Sequence, residues 1–516
     1  MKHPAVHIIG TGPGDPRLIT MYGLDCLRAA DVVVYDHHVS QRLLSYARPA
    51  AELIDVGTAA PQPMAQEAIS YLIAEKAREG KTVARLKWGD PFVFDRGGEE
   101  ALFLQQQHIP FEVVPGVAAG TGMPAYAGVP VSYPGAGDTI TLVRGQEDEN
   151  RTPPDVDWAS LARLDGTVVC YAGAYQLPRI LDALLEGGWP GETPAVVIYN
   201  GTLPNQETLV GTIAELAAAV RDSRRRAPAM LVVGRVARLR QHLRWYDVRP
   251  LFGRRVLVTR PREQAADFCD RLAALGAEPI EAPVIRIAPP EDPGPLLTAA
   301  ATPAAFDWIV FTSANAVDAL MKAALEGGRD VRILHGPKIC TVGPGTADRL
   351  ATYGIRVDRL PDEFRAEGIV KAMAGSGSVE GLRVLLPRAD IGREVIADEL
   401  RRRGAIVSDV VAYRTVVEET LPERGPDIYR MLLEGQIDVV TFTSGSAVRG
   451  FARIYGAEPA ADLLKHTVVA VIGPTTADAA RQLGIPVTVQ PAASTIPALV
   501  DAIVAHYASA KSTKTT

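Results

Sequence analysis

Short apolar runs rich in β-branched residues alternate along the chain with longer segments of helical periodicity. In the first half, VHII ends at Gly10, VVVY ends at Asp36, TVARL leads to Gly89, and EVV leads to Pro115. The segment 66–78 is predicted to be a helix with these residues on one face: Ala68, Ile69, Leu72, Ile73 and Ala77. This repetition predicts an α/β fold with mostly parallel sheets, in which ligands bind outside the carboxyl ends of the strands.

The chain divides near residues 245–254, after which a new strand–turn–helix pattern begins. The second half contains an internal duplication. DWIVFTSANAV at 307–317 matches DVVTFTSGSAV at 438–448, and VGPGTADRLATYGIRV at 342–357 matches IGPTTADAARQLGIPV at 472–487. Because the offsets are nearly equal, the duplication predicts two similar α/β lobes with a cleft between them.

Composition excludes several classes of protein. The 516 residues are 47% hydrophobic with a net charge of −6, which is typical of a globular protein and gives no basic excess for nucleic acid. No apolar run approaches the roughly 20 residues of a membrane span.

The sequence contains four cysteines that form no CxxC pair, namely Cys26, Cys170, Cys269 and Cys340. We therefore expect neither a disulfide framework nor a metal site, and we expect a cytoplasmic location.

Five motifs of the first half occur in a characteristic order: GTGPGDP (10–16), VVVYD (32–36), KWGDPFVFDRGGEE (87–100), PGVAAG (115–120) and PAYAGVPV (124–131). Taken alone, GTGPGDP could be a structural turn. Together the motifs resemble the tetrapyrrole methylases, specifically uroporphyrinogen-III C-methyltransferase, over about residues 5–246. The resemblance implies two α/β lobes, S-adenosyl-L-methionine bound in their cleft, transfer of two methyl groups to give precorrin-2, and a homodimer through this half.

The same resemblance assigns site residues. The residues expected to bind the methyl donor are Pro13, Trp88, Gly89, Asp90, Val93, Ala118, Ala119, Ala172 and Gly201. Asp36 matches the family's catalytic aspartate, since a carboxylate there can accept a proton once a pyrrole carbon is methylated. The alternative for Asp36 is a helix cap or a surface residue.

Several positions depart from the family pattern. Thr58 replaces the lysine of GKR, Trp88 replaces a glycine of KGGDP, Tyr133 replaces the histidine of THR, and Gln146 replaces the histidine of TGH. Two hypotheses follow: the half is an active but divergent methyltransferase, or it has lost catalysis and serves in binding or regulation.

The second half resembles uroporphyrinogen-III synthase over about residues 252–507, through VLVTRP (256–261), VVAYRT (410–415) and the duplicated motifs. The resemblance implies Rossmann-like lobes joined by a two-stranded β-ribbon at 282–290 and 410–419. Lobe one would comprise about 252–283 plus 416–507, and lobe two about 290–410. It also implies cyclisation of hydroxymethylbilane to uroporphyrinogen III, with inversion of one ring and loss of water, without a metal or cofactor.

Tyr413 aligns with a ribbon tyrosine of the synthase family that is thought to assist departure of the substrate hydroxyl; the alternative is a packed strand tyrosine. The residues expected to bind substrate carboxylates are Arg260, Thr312, Ser313, Thr346, Arg388, Thr443, Ser444 and Thr476. Each has a structural alternative, because Ser and Thr are common helix N-caps and arginines form surface ion pairs.

The two resemblances support each other, because the product of the synthase is the substrate of the methyltransferase. We therefore expect a bifunctional enzyme, with a methyltransferase domain at 1–247 and a synthase domain at 248–516, acting on small tetrapyrroles on the way to sirohaem and cobalamin. Neither nucleic acid nor membrane is an expected partner. The runner-up is a synthase with a catalytically impaired methylase-like domain, and the third hypothesis is a binding or scaffold protein.

Overall fold

The computed structural model describes residues 5–57, 64–145, 155–221, 227–361, 366–375, 378–390, 395–418 and 427–512. The chain folds into two compact units, Met1–Gly253 and Arg254–Thr516. Each unit contains two β-sheets. In the described part of the chain, no helix combines the length and apolar character needed to cross a membrane.

The first sheet of the first unit is parallel throughout. Its strands are β1 (Val6–Gly10), β2 (Val32–Tyr35), β3 (Glu52–Asp55), β4 (Val83–Lys87) and β5 (Phe111–Val114), in the order β3-β2-β4-β1-β5. The helices between and after them are α1 (Met21–Ala29), α2 (Gln41–Leu44), α3 (Gln66–Arg78), α4 (Gly97–Gln106) and α5 (Ala119–Tyr126). The carboxyl ends of β2, β4, β1 and β5 are therefore neighbours, as the strand pattern predicts.

The helix predicted at 66–78 is confirmed with the same bounds. Its buried face differs in detail, because Ile69, Ser70, Ile73 and Ala74 are buried whereas Ala68 is exposed. The Ser70 hydroxyl donates to the carbonyl of Gln66 at 3.2 Å, which satisfies a polar group that periodicity alone would place outside.

The second sheet of the first unit is mixed, not mostly parallel as expected. Its strands are β6 (Ile140–Arg144), β7 (Thr167–Gly173), β8 (Pro194–Tyr199), β9 (Glu207–Thr212) and β10 (Pro228–Val233), in the order β6-β7-β10-β8-β9. Only β6 and β7 pair in parallel. The loop between β8 and β9 is too short for a helical crossover, so these strands pair antiparallel. The helices here are α6 (Trp158–Leu161), α7 (Leu177–Glu186), α8 (Ile213–Val220) and α9 (Arg240–Leu243).

The described residues of the second unit form these strands: β11 (Arg255–Val258), β12 (Glu278–Glu281), β13 (Ile285–Ala288), β14 (Trp308–Phe311), β15 (Lys338–Thr341), β16 (Arg383–Ala389), β17 (Ile406–Val417), β18 (Val439–Phe442) and β19 (Val468–Val471). One sheet has the order β12-β11-β18-β19 and is parallel, so it takes strands from both ends of the unit. The other has the order β13-β17-β16-β14-β15 and is parallel except for the antiparallel pair β13–β17.

Helices follow most of these strands. They are α10 (Arg262–Ala274), α11 (Gly294–Ala301), α12 (Ala314–Glu326), α13 (Pro344–Thr352), α14 (Ala366–Ala374), α15 (Val395–Arg402), α16 (Ile428–Leu433), α17 (Gly445–Tyr455), α18 (Ala457–Leu463), α19 (Pro474–Gln482) and α20 (Ile496–Ser512).

The duplicated motifs adopt the same local structure. β14 leads through Ser313 into α12, and β18 leads through Ser444 into α17. Each serine has extended backbone with a φ of −159°, and each hydroxyl accepts a 3.1 Å hydrogen bond from an amide three residues later. The long strand β17 pairs with β16 along most of its length and antiparallel with β13 at its end, so these three strands lie in one sheet.

Candidate active sites

Three loops of the first unit meet through their backbones at the carboxyl edge of the parallel sheet. The amide of Gly12 donates to the carbonyl of Gly89 at 3.2 Å, and the amide of Gly89 donates to the carbonyl of Gly12 at 2.9 Å. A Cβ atom on Gly116 would lie 2.2 Å from the Gly89 carbonyl oxygen. These positions therefore require glycine, because the three loops pack backbone against backbone, and we call this group of loops the glycine cradle.

The Asp90 side chain stabilises this cradle. Its carboxylate accepts hydrogen bonds from the amide of Gly116 at 3.0 Å and from the amide of Phe92 at 2.8 Å. Asp90 is thus engaged with two loops, and this fixes its position beside Gly89.

The other residues predicted to bind the methyl donor lie around the same loops, except Ala172, which packs in a separate core cluster of the second sheet. A Cβ on Gly122 would lie 2.9 Å from Pro13, one on Gly201 would lie 2.4 Å from Met123, and Trp88 and Val93 pack on the cluster that contains Ala119. Ala118 is the N-cap of α5, and Ala172 lies buried on β7. The structure brings together residues from both sheets of the unit, and their binding role remains a prediction.

Asp36 lies at the end of β2 and is held by two buried cations. Its carboxylate contacts Arg85 Nη2 at 2.6 Å and Lys87 Nζ at 3.3 Å. Arg85 and Lys87 in turn contact Glu100, at 3.1 and 3.4 Å, and Lys87 contacts Asp95 at 2.9 Å. Asp36 is therefore neither an ordinary helix cap nor a free surface residue, because it belongs to a cluster of five ionisable groups.

Burial and charge act in opposite directions on these groups. Burial alone would raise the pKa of Asp36, but Arg85 and Lys87 outweigh it and lower that pKa, and the pKa of Glu100 is lowered in the same way. Burial raises the pKa of Asp95, and Lys87 does not fully offset this because the Asp36 charge adds to the rise. Asp36 is thus ionised at neutral pH, as a proton acceptor must be.

Arg85, Asp95 and Glu100 were not singled out from the sequence. One signal was present, since Arg85 and Lys87 alternate with apolar residues on β4, a strand that the structure buries completely. Two charged residues in an otherwise apolar strand favour buried partners, but the sequence alone does not identify Glu100 as that partner.

The four positions that differ from the methylase family pattern lie in different surroundings. The Trp88 ring lies 6.0 Å from the His38 ring, between centroids, and packs on the Ala119 cluster. Tyr133 is 47% exposed. Thr58 and Gln146 lie outside the described residues.

In the second unit, Tyr413 and Ser313 share a hydrogen bond of 3.0 Å between their hydroxyl oxygens. Burial raises the pKa of Tyr413, opposed by its hydrogen bonds to Ser313 and Asn315. A neutral phenol at this position can donate a proton. Tyr413 is also packed in the core of its sheet, so both interpretations offered by the sequence fit its surroundings.

A chain of amide contacts leads from this tyrosine to Arg260. Gln264 Nε2 donates to Asn315 Oδ1 at 2.5 Å, and Arg260 Nη2 donates to Gln264 Oε1 at 3.2 Å. The buried Nε of Arg260 has no hydrogen-bond partner among the described residues. Burial lowers the pKa of Arg260. Gln264 was not among the predicted site residues, because nothing in the sequence pairs it with Asn315, 51 residues away.

Three of the other predicted substrate-binding residues have structural roles, and the remaining four are buried or partly buried. Arg388 contacts Asp409 at 2.6 Å and two backbone carbonyls, which is the ion-pair alternative. Ser313 and Ser444 are helix N-caps. Thr346 and Thr476 are buried in the first turns of α13 and α19, and Thr312 and Thr443 are partly buried.

No group of three or more His, Cys, Asp and Glu side chains in the described part of the chain is placed to hold a metal ion. All four cysteines are buried free thiols.

Comparison with known families matches residues 5–217 to the tetrapyrrole (corrin/porphyrin) methylases and residues 266–501 to uroporphyrinogen-III synthase HemD. The chain is 35% identical over 502 residues to the porphyrin biosynthesis protein HemD of Ruminiclostridium josui, which covers 97% of this chain and 98% of that protein.

Two further relatives match about half of the chain. The chain is 40% identical over 235 residues to an S-adenosyl-L-methionine-dependent uroporphyrinogen III methyltransferase of Methanosarcina barkeri, covering 45% of this chain and 92% of that protein. It is 38% identical over 279 residues to the siroheme synthase of Thiobacillus denitrificans, covering 54% of each, so the chain spans about half the length of that relative.

Proposed function

This chain belongs to the family of porphyrin biosynthesis proteins that join a tetrapyrrole methylase to a uroporphyrinogen-III synthase, and from that premise we propose that it catalyses two successive reactions. The second unit cyclises hydroxymethylbilane to uroporphyrinogen III, with inversion of one ring and loss of water. The first unit then methylates uroporphyrinogen III twice to precorrin-2, which can feed the synthesis of sirohaem or of cobalamin.

The glycine cradle of the first unit suits S-adenosyl-L-methionine. A backbone-walled site and the Asp90 carboxylate match a ligand that carries an amino-acid end and a ribose. Pro13, Gly89, Ala119 and Gly201 would hold it. When bound, the donor supplies an electrophilic methyl group.

Asp36 performs the step that follows methyl transfer. The methylated macrocycle carries an additional positive charge until it loses a proton, and Asp36 is held ionised by Arg85 and Lys87 to accept it. The meeting of this carboxylate with the glycine cradle, at one edge of one sheet, is the observation that carries the methyltransferase proposal.

The second unit holds its substrate mainly with neutral groups. Arg260 presents a partly buried guanidinium that makes no ion pair within the described chain, and a substrate carboxylate can pair with its reachable nitrogens. Tyr413 can give a proton to the departing hydroxyl. Because hydroxymethylbilane is intrinsically reactive, holding one folded conformation is the main task of such a site.

A synthase whose methylase-like unit is impaired is the second candidate. The observation that favours it is Trp88, whose indole stands beside Gly89 in the segment proposed to bind the donor. An inactive first unit predicts donor binding without methyl transfer, so the two candidates differ in a direct assay.

The proposed function is tested with the two half-reactions of the full chain. Uroporphyrinogen III and S-adenosyl-L-methionine should give a product heavier by two methyl groups, and hydroxymethylbilane alone should give the isomer with one inverted ring. Methylation should fall in Asp36→Asn and be retained in Asp25→Asn. The second variant is the matched control, because Asp25 is an exposed aspartate of the first unit. Recovery of unmodified uroporphyrinogen III in the first assay would leave the synthase candidate, and the non-inverted isomer in the second would contradict both.

We also propose that the chain acts in the cytoplasm as a homodimer through its first unit, with no bound metal. Sedimentation of the full chain checks the homodimer, and metal analysis of the purified protein checks the absence of bound metal.

A further inference from the structure

The charged cluster around Asp36 contains one more carboxylate than cation. The carboxylates belong to Asp36, Asp95 and Glu100, and the cations to Arg85 and Lys87. Arg85, Lys87 and Glu100 are at most 2% exposed, so solvent does little to screen the surplus negative charge. A cluster of this composition is electrically neutral when it holds exactly one additional proton.

Lys87 lies between the two carboxylates that solvent can reach. Its Nζ is 3.3 Å from Asp36 Oδ2 and 2.9 Å from Asp95 Oδ1, and these side chains are 25% and 22% exposed. Glu100, by contrast, is fully buried against Arg85 and accepts a 2.8 Å hydrogen bond from Gln66. The additional proton can therefore move along the line from Asp36 through Lys87 to Asp95.

The backbone before Asp95 has a conformation that few residues adopt. Phe94 has a φ of 57°, in the left-handed region that disfavours a bulky side chain. Its ring packs edge-on against Tyr171, with 5.0 Å between centroids. Such a conformation persists when surrounding contacts hold it, and here it precedes the residue that contacts Lys87.

We propose that Asp95 is the exit of a proton relay, in which the proton taken from the methylated tetrapyrrole by Asp36 passes through Lys87 to Asp95 and then to solvent. This inference rests on the methyltransferase activity proposed above and extends it to a second carboxylate. Asp95 acts through Lys87 and Asp36 and does not itself contact the macrocycle.

The transfer leaves every group other than the two carboxylates unchanged. Lys87 gives one ammonium proton to Asp95 and takes the proton from Asp36, so it remains a cation and Asp36 returns to its ionised form. The direction is favourable, because the pKa of Asp36 is lowered by its cations whereas burial raises the pKa of Asp95. A proton moves spontaneously from the stronger acid to the weaker one.

Other charged and titratable groups lie next to Asp36, Lys87 and Asp95. Arg85 and Glu100 adjoin Asp36 and Lys87, and His38 lies within the field of Asp36. The pKa of His38 is lowered by desolvation and by His37, so His38 is largely neutral at neutral pH. The backbone amide of Arg96 donates to Asp95 Oδ1 at 2.7 Å.

Asp95→Asn separates a relay from a structural ion pair. A carboxyl group whose pKa is raised on folding contributes stability below its unfolded pKa of about 3.9, and that contribution is lost as the pH rises through the folded value. Asp95→Asn should therefore raise the urea midpoint at neutral pH, while kcat for methyl transfer falls by about 100-fold and the KM for S-adenosyl-L-methionine changes little.

The pH profile gives the matched test. Wild-type kcat should rise through the ionisation of Asp95, this acid limb should move to lower pH in Asp95→Asn, and Asp95→Glu should restore it. Asp25→Asn should retain the wild-type profile. Wild-type kcat and an unchanged acid limb in Asp95→Asn would overturn the relay, and so would a lower urea midpoint.

Infrared difference spectroscopy measures the protonation of the Asp95 carboxyl group independently of methyl transfer. The wild-type protein should show a protonated carboxyl band that titrates at higher pH than exposed carboxyls and is missing from Asp95→Asn. A band common to both proteins contradicts the relay alone, whereas absence of methylation by the wild-type protein contradicts the relay and the proposed function together.

Discussion

The two candidate sites of this chain are built from different kinds of polar group. In the first unit, Asp36 sits among two buried cations and two further carboxylates. In the second, Tyr413 is reached through a serine hydroxyl and two amides, and the adjacent Arg260 has no carboxylate within ion-pair distance in the described part of the chain. The difference follows the proposed chemistry, since removing a proton needs a fixed ionised base, whereas ring closure of a reactive substrate needs a shaped site.

The comparison predicts that neutralising Asp36 causes the largest loss of activity among the variants considered. Asp36→Asn should lower kcat for methyl transfer by about 10²- to 10⁴-fold, because the variant has no proton acceptor at this position. Cyclisation of hydroxymethylbilane by the same protein is the internal control and should be unchanged. Equal losses of both activities would contradict the separation of the two sites.

The next largest effect concerns the stability of the first unit. Glu100→Gln leaves Arg85 without its fully buried partner and should lower the free energy of unfolding by about 3–5 kcal/mol. Tryptophan fluorescence during urea unfolding reports mainly on this unit, because it contains four of the five tryptophans, namely Trp88, Trp158, Trp189 and Trp245. Glu99→Gln, at an exposed neighbour on α4, should cost at most about 1 kcal/mol.

The loss of stability caused by Glu100→Gln should depend on pH in one direction. The pKa of Glu100 is lowered in the folded chain, so its stabilisation is present above the unfolded pKa of about 4.3 and is lost as the pH falls through the folded value. The difference between wild type and Glu100→Gln should therefore shrink on acidification. A difference that is constant down to acidic pH would contradict the ionised pair.

In the second unit, removing a charge should weaken substrate binding without destabilising the fold. Arg260→Met should raise the KM for hydroxymethylbilane by about 10- to 100-fold, as expected when a charge-assisted hydrogen bond of about 1.5–3 kcal/mol is lost. The urea midpoint should stay the same or rise, because a partly buried cation without a counter-ion is unfavourable. If Arg260→Met destabilised the protein as much as Glu100→Gln, the two sites would not differ in how their charges contribute to stability.

The smallest effect comes from the paired caps of the duplicated lobes. Ser313→Ala and Ser444→Ala each remove one N-cap hydrogen bond and should each cost about 1 kcal/mol of stability. Of these two serines, Ser313 is the one whose hydroxyl contacts Tyr413, so we expect the larger fall in cyclisation rate from Ser313→Ala. Equal rates in the two variants would make Ser313 a cap and nothing more.

The features that follow from short-range pattern were predictable. The strand ends at Gly10, Asp36 and Gly89 meet because parallel strands share one carboxyl edge, and the duplication gives Ser313 and Ser444 the same backbone conformation. The contacts that define the sites were not predictable. Arg85 could pair with any of several carboxylates, and Gln264 meets Asn315 only because the second unit folds them together.

The most direct test of the two proposed activities is the mass of the product that the full chain makes from hydroxymethylbilane. With S-adenosyl-L-methionine present, we expect a cyclised product that carries two additional methyl groups, and without it we expect uroporphyrinogen III. Unmethylated uroporphyrinogen III in the presence of the donor would contradict the methyltransferase role of Asp36 and its charged cluster.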